Sequence, residues 1–89
     1  MEEKSLSEIK MELKEIIVSI ADFEIDTKNI DNGKDGIKKL GLNSLAVIKM
    51  MVEIERKFDI EMDVDEDNAD ILYSIDELAQ YISSQKAEN

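Results

Sequence analysis

Apolar positions recur at helical spacing in three stretches of the chain, and between them the spacing lapses. From residue 5 to residue 20, Ile9, Leu13, Ile16, Ile17 and Ile20 fall on one face, while Lys10, Glu12, Lys14 and Glu15 lie mostly off it. That spacing matches the 3.6-residue period of a helix with one buried side. Ser5 or Ser7 offers the side-chain oxygen that an N-cap needs. From about Ala21 to Asn43, Phe23, Ile25, Ile30, Ile37 and Leu40 are scattered among Asp26, Asn29, Asp31, Asn32, Gly33, Asp35 and Gly36. So long a connection inside a small fold is a functional or self-packed loop. Its five apolar residues are expected to act as pegs that pin it to the helices, with a short helical turn near Gly36–Lys39.

The second helix is expected from Ser44 to about Phe58, with Asn43 or Ser44 as its cap. At about 100° per residue, Val47, Met50, Met51, Ile54 and Phe58 share one broad side. Leu45, Ile48 and Val52 fall on the other, with Lys49 and Arg56 among them. A helix apolar on both sides is either central or built to meet a partner. Beyond it, Ile60, Met62 and Val64 alternate with Glu61, Asp63 and Asp65 in an acidic, extended connector from Asp59 to Asp70. A short helix is expected around Asp67 to Tyr73, with Ile71 and Leu72 turned inward. Ser74-Ile75-Asp76-Glu77 is a capping box. The helix it opens buries Ile75, Leu78, Ala79 and Ile82, is flanked by Tyr81, and frays from Ser83 to Asn89.

Composition narrows the picture. Eighty-nine residues with Cys 0 exclude disulfide staples, and Pro 0 with Gly 3 leaves little to break helices, so a compact all-α bundle is expected. No internal repeat or linker divides the chain, and residues 1–89 read as a single domain. The formal charge is -11, from 22 acidic and 11 basic residues. A field of that sign repels nucleic acid and anionic membranes and favours basic protein surfaces. No apolar run approaches the roughly 18 residues of a membrane span, and Met1-Glu2-Glu3-Lys4 lacks the basic and apolar parts of a signal peptide. A cytoplasmic, monomeric, freestanding protein is expected, with neither nucleic acid nor membrane as partner. His 0 and Cys 0 remove the commonest general base, thiol nucleophile and soft metal ligands. An enzyme is not expected, and any working thiol must arrive on a prosthetic group.

Ser44 is the candidate of most interest. By itself, a serine at a helix start after a glycine turn reads as a cap; it also suits a point of attachment. Leu40-Gly41-Leu42-Asn43-Ser44-Leu45, the later Phe58-Asp59-Ile60, and Tyr73-Ser74-Ile75-Asp76-Glu77-Leu78-Ala79-Gln80-Tyr81-Ile82 together resemble the acyl carrier protein family, in spacing as well as in residues. The resemblance implies a right-handed four-helix bundle with three main helices, a short third helix and a long first loop. It also implies 4′-phosphopantetheine joined covalently to Ser44, where the family has an Asp-Ser-Leu motif. A phosphopantetheinyl transferase (holo-carrier-protein synthase) would install that arm from coenzyme A in a magnesium-dependent step. Loading and condensing enzymes would then handle acyl or aminoacyl thioesters on its thiol. Gly41 would let the chain turn with no side chain in the way, and the helix N-terminus would accept the phosphate. Capping would then fall to Asn43.

Two departures bear on the pathway. Asn43 stands where the fatty-acid carriers usually have Asp, and no proline follows Phe58-Asp59-Ile60. The outer face of the second helix, rich in acids in those carriers, here has Ala46, Lys49, Arg56 and Lys57, with Glu53 and Glu55 as its remaining acids. Asn43, Leu45, Ile48, Lys49, Val52 and Arg56 are therefore the expected partner-binding residues. Apolar complementarity, and acidic residues on the partner, should drive docking there. A polyketide- or nonribosomal-peptide-type pathway is expected. A fatty-acid-synthesis carrier and a D-alanyl carrier are the alternatives within the family, and an unmodified acidic helical interaction module is the alternative outside it. An attached chain could slip between the second helix and the short third segment, against Met50, Met51, Ile54, Ile71 and Leu72.

Other motifs read as scaffold. Asp31-Asn32-Gly33-Lys34-Asp35-Gly36 opens like an EF-hand loop, but Leu42 stands where its Glu is needed. Asp63-Val64-Asp65-Glu66-Asp67 has Asn68 in place of Gly and Ser74 in place of Glu. Both serve loop solubility; Glu24 and Asp26 lack the pocket that acid–base chemistry requires; Met50 and Met51 are pliable core filler.

Overall fold

The structure is a computed structural model that describes residues 5–88. Met1–Lys4 and Asn89 lie outside the described residues, and with them the N-terminal stretch read above for targeting signals and the last residue of the expected frayed tail. Three α-helices make up the frame: α1 (Leu6–Ile20), α2 (Ser44–Phe58) and α3 (Ile75–Glu88). Three 3-10 segments lie between them, at Thr27–Asn29, Lys38–Leu40 and Ala69–Tyr73, and no strand occurs among the described residues. The fold is all-α, as expected.

Each helix starts where a side chain replaces the missing backbone acceptor. The Ser5 hydroxyl accepts from the Glu8 N–H at 3.2 Å, and the Ser5 N–H donates to Glu8 Oε1 at 3.3 Å. This reciprocal box makes Ser5, and not Ser7, the cap of α1. Ser74, 1% exposed, accepts from the Glu77 N–H at 3.3 Å and starts α3. At the end of α2, Asp59 takes a left-handed conformation (φ 54°), which short polar side chains tolerate. Lys86 Nζ donates to the Phe58 carbonyl at 3.1 Å. That bond corrects the expectation of fraying from Ser83: α3 continues to Glu88, because its last turns close the end of α2.

α1 packs against both α2 and α3. Ile9, Leu13 and Ile17 of α1 meet Met50, Ile54 and Phe58 of α2 and Ile75, Leu78 and Ile82 of α3 in one buried cluster. The connector joins it through Ile60 and Met62, while Glu61 and Asp63 stay exposed, as alternation predicts. Tyr81 secures that segment: its hydroxyl accepts from the Asp63 N–H at 3.0 Å and donates to the Glu61 carbonyl at 3.3 Å. The short third element is a 3-10 helix of five residues, shorter at its start than expected. Leu72 is buried within it, and Ile71 is only half-buried.

The long loop is held at its far end. The Asn32 carbonyl accepts from the Asp76 N–H at 2.9 Å and from the Ser74 hydroxyl at 3.4 Å, and the Ile37 N–H donates to the Tyr73 carbonyl at 2.9 Å. Ile30 and Ile37 are buried pegs, and Ile25 and Leu40 pack against the core edge. Phe23 is not a peg. The chain bends at Asp22 and Phe23 directly after α1, so Ile25 reaches the core and Phe23 stays 42% exposed. The expected turn is present a little later, at Lys38–Leu40.

Gly36 is fixed by a close approach. A Cβ there would lie 2.0 Å from the Asp31 carbonyl oxygen, a backbone atom that no rotamer change can move aside. Gly36→Ala should cost about 1–3 kcal/mol, lowering the midpoint of thermal unfolding by about 5–20 °C in a domain of this size. Circular dichroism melts would show it; an unchanged midpoint would mean that the two loop strands are not in contact.

Candidate functional site

The chain enters α2 through a turn whose backbone excludes most residue types. Gly41 sits at φ 76°, with its N–H donating to the Lys38 carbonyl at 3.1 Å. A Cβ at Gly41 would meet nothing within 4 Å. The turn therefore needs glycine for its torsion angle and not, as the sequence suggested, to clear space. Leu42 then packs against the core edge and fixes the approach of Asn43.

Asn43 Oδ1 accepts from the Ala46 N–H at 2.8 Å, and the Asn43 carbonyl takes the first intrahelical bond, from the Val47 N–H at 3.0 Å. Asn43 is the cap, which leaves Ser44 as the first helical residue. Its side chain is exposed, and no hydrogen bond to its hydroxyl occurs among the described residues. The N–H groups of Ser44 and Leu45 precede the intrahelical ladder and have no acceptor within it.

The charge around this helix start is unusual for the molecule. Glu8 stands in the first turn of α1, and Asp76 and Glu77 in that of α3, where carboxylates offset the positive end of the helix dipole. The first turn of α2 has no acid. About half a unit of positive charge is thus left uncompensated beside an exposed hydroxyl. A phosphodiester on that oxygen would meet free backbone donors and favourable charge, so the residues present fit the group that the sequence implied. The signal was legible in Ser44-Leu45-Ala46-Val47, which contains no Asp or Glu.

The outer face of α2 continues from the serine. Leu45 (60%), Ile48 (55%) and Val52 (44%) are exposed large apolar residues in one run along the helix, and Asn43, Lys49 and Arg56 are exposed with them. Arg56 pairs loosely with Glu53 at 3.7 Å, both side chains being well exposed, which contributes little to stability. Three residues assigned to this face by the sequence belong elsewhere. Ala46 is buried, because it lies one turn from Met50 on the core side. Lys57 reaches α1 and pairs with Glu12 at 3.6 Å. Glu55 accepts from the Met62 N–H at 2.9 Å and so holds the connector. Of the expected core residues, Met50, Ile54 and Phe58 are buried, and Val47 and Met51 are half-buried against them.

Elsewhere the acids close turns. Asp31 Oδ1 accepts from the Gly33 N–H at 2.8 Å, and Asp65 Oδ1 from the N–H groups of Asp67 at 2.9 Å and Asn68 at 3.3 Å. Of the residues expected to line a path for attached cargo, Met50, Ile54 and Leu72 are buried, and Met51 and Ile71 stand half-buried. No helix among the described residues is long and apolar enough to cross a membrane.

Comparison with known proteins gives the family. Residues 12–82 match the family described as phosphopantetheine attachment site. The chain is 36% identical over 64 residues to a mitochondrial acyl carrier protein of Neurospora crassa, across 72% of this chain and 46% of that protein. It is 38% identical over 65 residues to a mitochondrial acyl carrier protein of Saccharomyces cerevisiae, across 73% and 50% respectively. It spans about half the length of these two relatives. With an acyl carrier protein of Karelsulcia muelleri it shares 32% identity over 77 residues, across 86% of this chain and 88% of that one. Since the family match takes in all of α2 with its capped, acid-free start, and one alignment runs through most of both partners, this chain belongs to the acyl carrier protein family, whose members bear covalently attached 4′-phosphopantetheine.

Proposed function

We propose that Ser44 is the residue to which the arm is joined, and that the chain carries acyl or aminoacyl groups between enzymes without acting on them itself. One observation carries this: Asn43 takes the capping role, so the Ser44 hydroxyl stands exposed at the start of α2 with no hydrogen bond among the described residues. When bound, the arm supplies the thiol that a chain with Cys 0 lacks, and cargo is held on it as a thioester. Ser44 offers the oxygen; the Ser44 and Leu45 N–H groups and the uncompensated dipole favour the phosphate beside it. Incubation of the full chain with coenzyme A, magnesium and a phosphopantetheinyl transferase should add the mass of one arm, found on the proteolytic fragment that holds Ser44. An arm on any other serine would overturn the assignment.

The partner surface is Asn43, Leu45, Ile48, Lys49, Val52 and Arg56. The transferase and the acyl-handling enzymes dock through the apolar run, with the two cations meeting acids on the partner. Val52→Asp adds a desolvation cost at the centre of that surface and touches no core residue. It should slow turnover of the loaded carrier by a partner enzyme at least tenfold, with thermal unfolding shifted by no more than a few degrees. Unchanged turnover would remove α2 from the interface.

The pathway is a finer proposal. The names of the relatives support acyl cargo. The basic flanks of the α2 surface, where Glu53 is the acid that remains on the outer face, support a dedicated partner set of polyketide or nonribosomal-peptide type. Residues 1–89 are proposed to work as one carrier domain, in the cytoplasm or, as the names of two relatives have it for those proteins, in the mitochondrion. Loading trials with malonyl, aminoacyl and long-chain acyl donors would separate the pathways, and preference for the long-chain donor would favour fatty-acid synthesis.

A further inference from the structure

A second exposed apolar feature lies away from α2, where the chain leaves α1. An open groove of about 690 Å³ is lined by Val18, Phe23, Glu24, Ile25, Asp26 and the neighbouring turn. Val18 and Ile25 are half-buried against the core and form a fixed apolar floor. Phe23 stands over it 42% exposed, one of only two phenylalanines in the chain. An aromatic ring left out of the core beside an apolar floor is the kind of residue that concentrates binding energy at interfaces.

The rim fixes the chemistry of the occupant. Asp22, Glu24 and Asp26 are exposed within five consecutive residues, and the cation beside them is Lys28, 3.9 Å from Asp26 with its side chain 79% exposed. So open a pair leaves the local charge strongly negative. The backbone is available as well. Among the described residues, none of residues 22–25 makes a backbone–backbone hydrogen bond, in contrast to the tethered far half of the loop.

We propose that this groove is a second docking site, one that takes a basic, extended segment of a partner protein and seats a large apolar side chain of that segment against Val18, Phe23 and Ile25. The charge decides for a basic segment, since an acidic or neutral one would forgo the rim. An extended segment is favoured because it can lay its own backbone groups beside those of residues 22–25 while one side chain enters the groove. The groove shares no residue with α2, so a partner could hold the carrier here while the serine end stays free. This site stands or falls independently of the attachment at Ser44.

The test is an amide NMR titration of the isotope-labelled full chain with a capped heptapeptide of four lysines alternating with leucine, phenylalanine and leucine. Saturable shifts should appear at Val18 and across residues 23–29. They should weaken as salt shortens the screening length from about 10 Å at 0.1 M to about 3 Å at 1 M. Phe23→Ser, an exposed change that spares the core, should weaken binding at least tenfold. Shifts spread over the acidic connector, equal affinity for a peptide with glycine in place of its apolar residues, or shifts centred on α2 would each overturn the proposal. Groove shifts that follow protein concentration without peptide would assign the site to a second copy of the chain and overturn it too.

Discussion

Replacing Ser44 by alanine should abolish addition of the arm while leaving the fold standing. The two halves of that expectation have separate causes. On the proposed assignment, attachment uses the Ser44 hydroxyl at the start of α2, and alanine has none, so intact mass after exposure to a competent transferase should show no added arm. The fold does not need that oxygen, because Asn43 and not Ser44 holds the Ala46 N–H. Alanine also has the highest helix propensity, so the first helical position is not weakened. Thermal unfolding of Ser44→Ala should match the parent within a few degrees. A variant that still gains the arm would move the attachment elsewhere. A variant that loses the arm and also unfolds would leave the serine a structural residue.

The second large effect belongs to Ile54. It is fully buried on the core face of α2, in the same cluster as Leu13 of α1 and Leu78 of α3. Ile54→Ala removes three carbons from a packed interior and should cost about 2–5 kcal/mol. Domains of this kind are commonly stable by about 5–15 kcal/mol in total, so a large part of the margin is at stake. Chemical denaturation should show a midpoint that falls with little change in slope. Val52, two residues earlier and outward-facing, is the contrasting case. If Ile54→Ala and Val52→Asp destabilised the chain equally, the division of α2 into an inner and an outer face would be mistaken.

That division was largely legible in the sequence. Ile9, Leu13 and Ile17, and Met50, Ile54 and Phe58, declare their helices because a buried stripe requires their spacing. The start of α2 at Ser44 and the cap at Ser74 follow from which side chains can replace a lost acceptor, whereas the choice of Ser5 over Ser7 needed the bonds to Glu8. What the sequence leaves hidden lies partly in contacts between distant segments and partly in local geometry. Ala46 has no strong polarity to declare its side, and only its neighbour Met50 places it inward. Lys57 looked like an outer cation until Glu12 stood opposite, and the tail beyond Ser83 looked frayed until Lys86 met the Phe58 carbonyl. Phe23 is the reverse case: a large apolar side chain in a loop suggests burial, yet the bend after α1 turns it out. For the site, the serine and its cap could be singled out in advance. The hydrogen bond from the Ala46 N–H to Asn43 Oδ1 shows which of the two residues is the cap.

The bonds that fasten the long loop also order events in time. Ile37 is tied to Tyr73, and Asn32 to Ser74 and Asp76. Contacts between residues so far apart in the chain form late, since a long segment must close before they return any energy. During synthesis, at roughly 5–20 residues per second, α1 and α2 can emerge and coil while the loop before Ser44 still lacks its anchor. The anchor arrives with the first turn of α3. The local turn at Gly41 and the cap at Asn43 can form on a nascent chain, but the loop that leads to them is fastened only once residues 73–76 have been made.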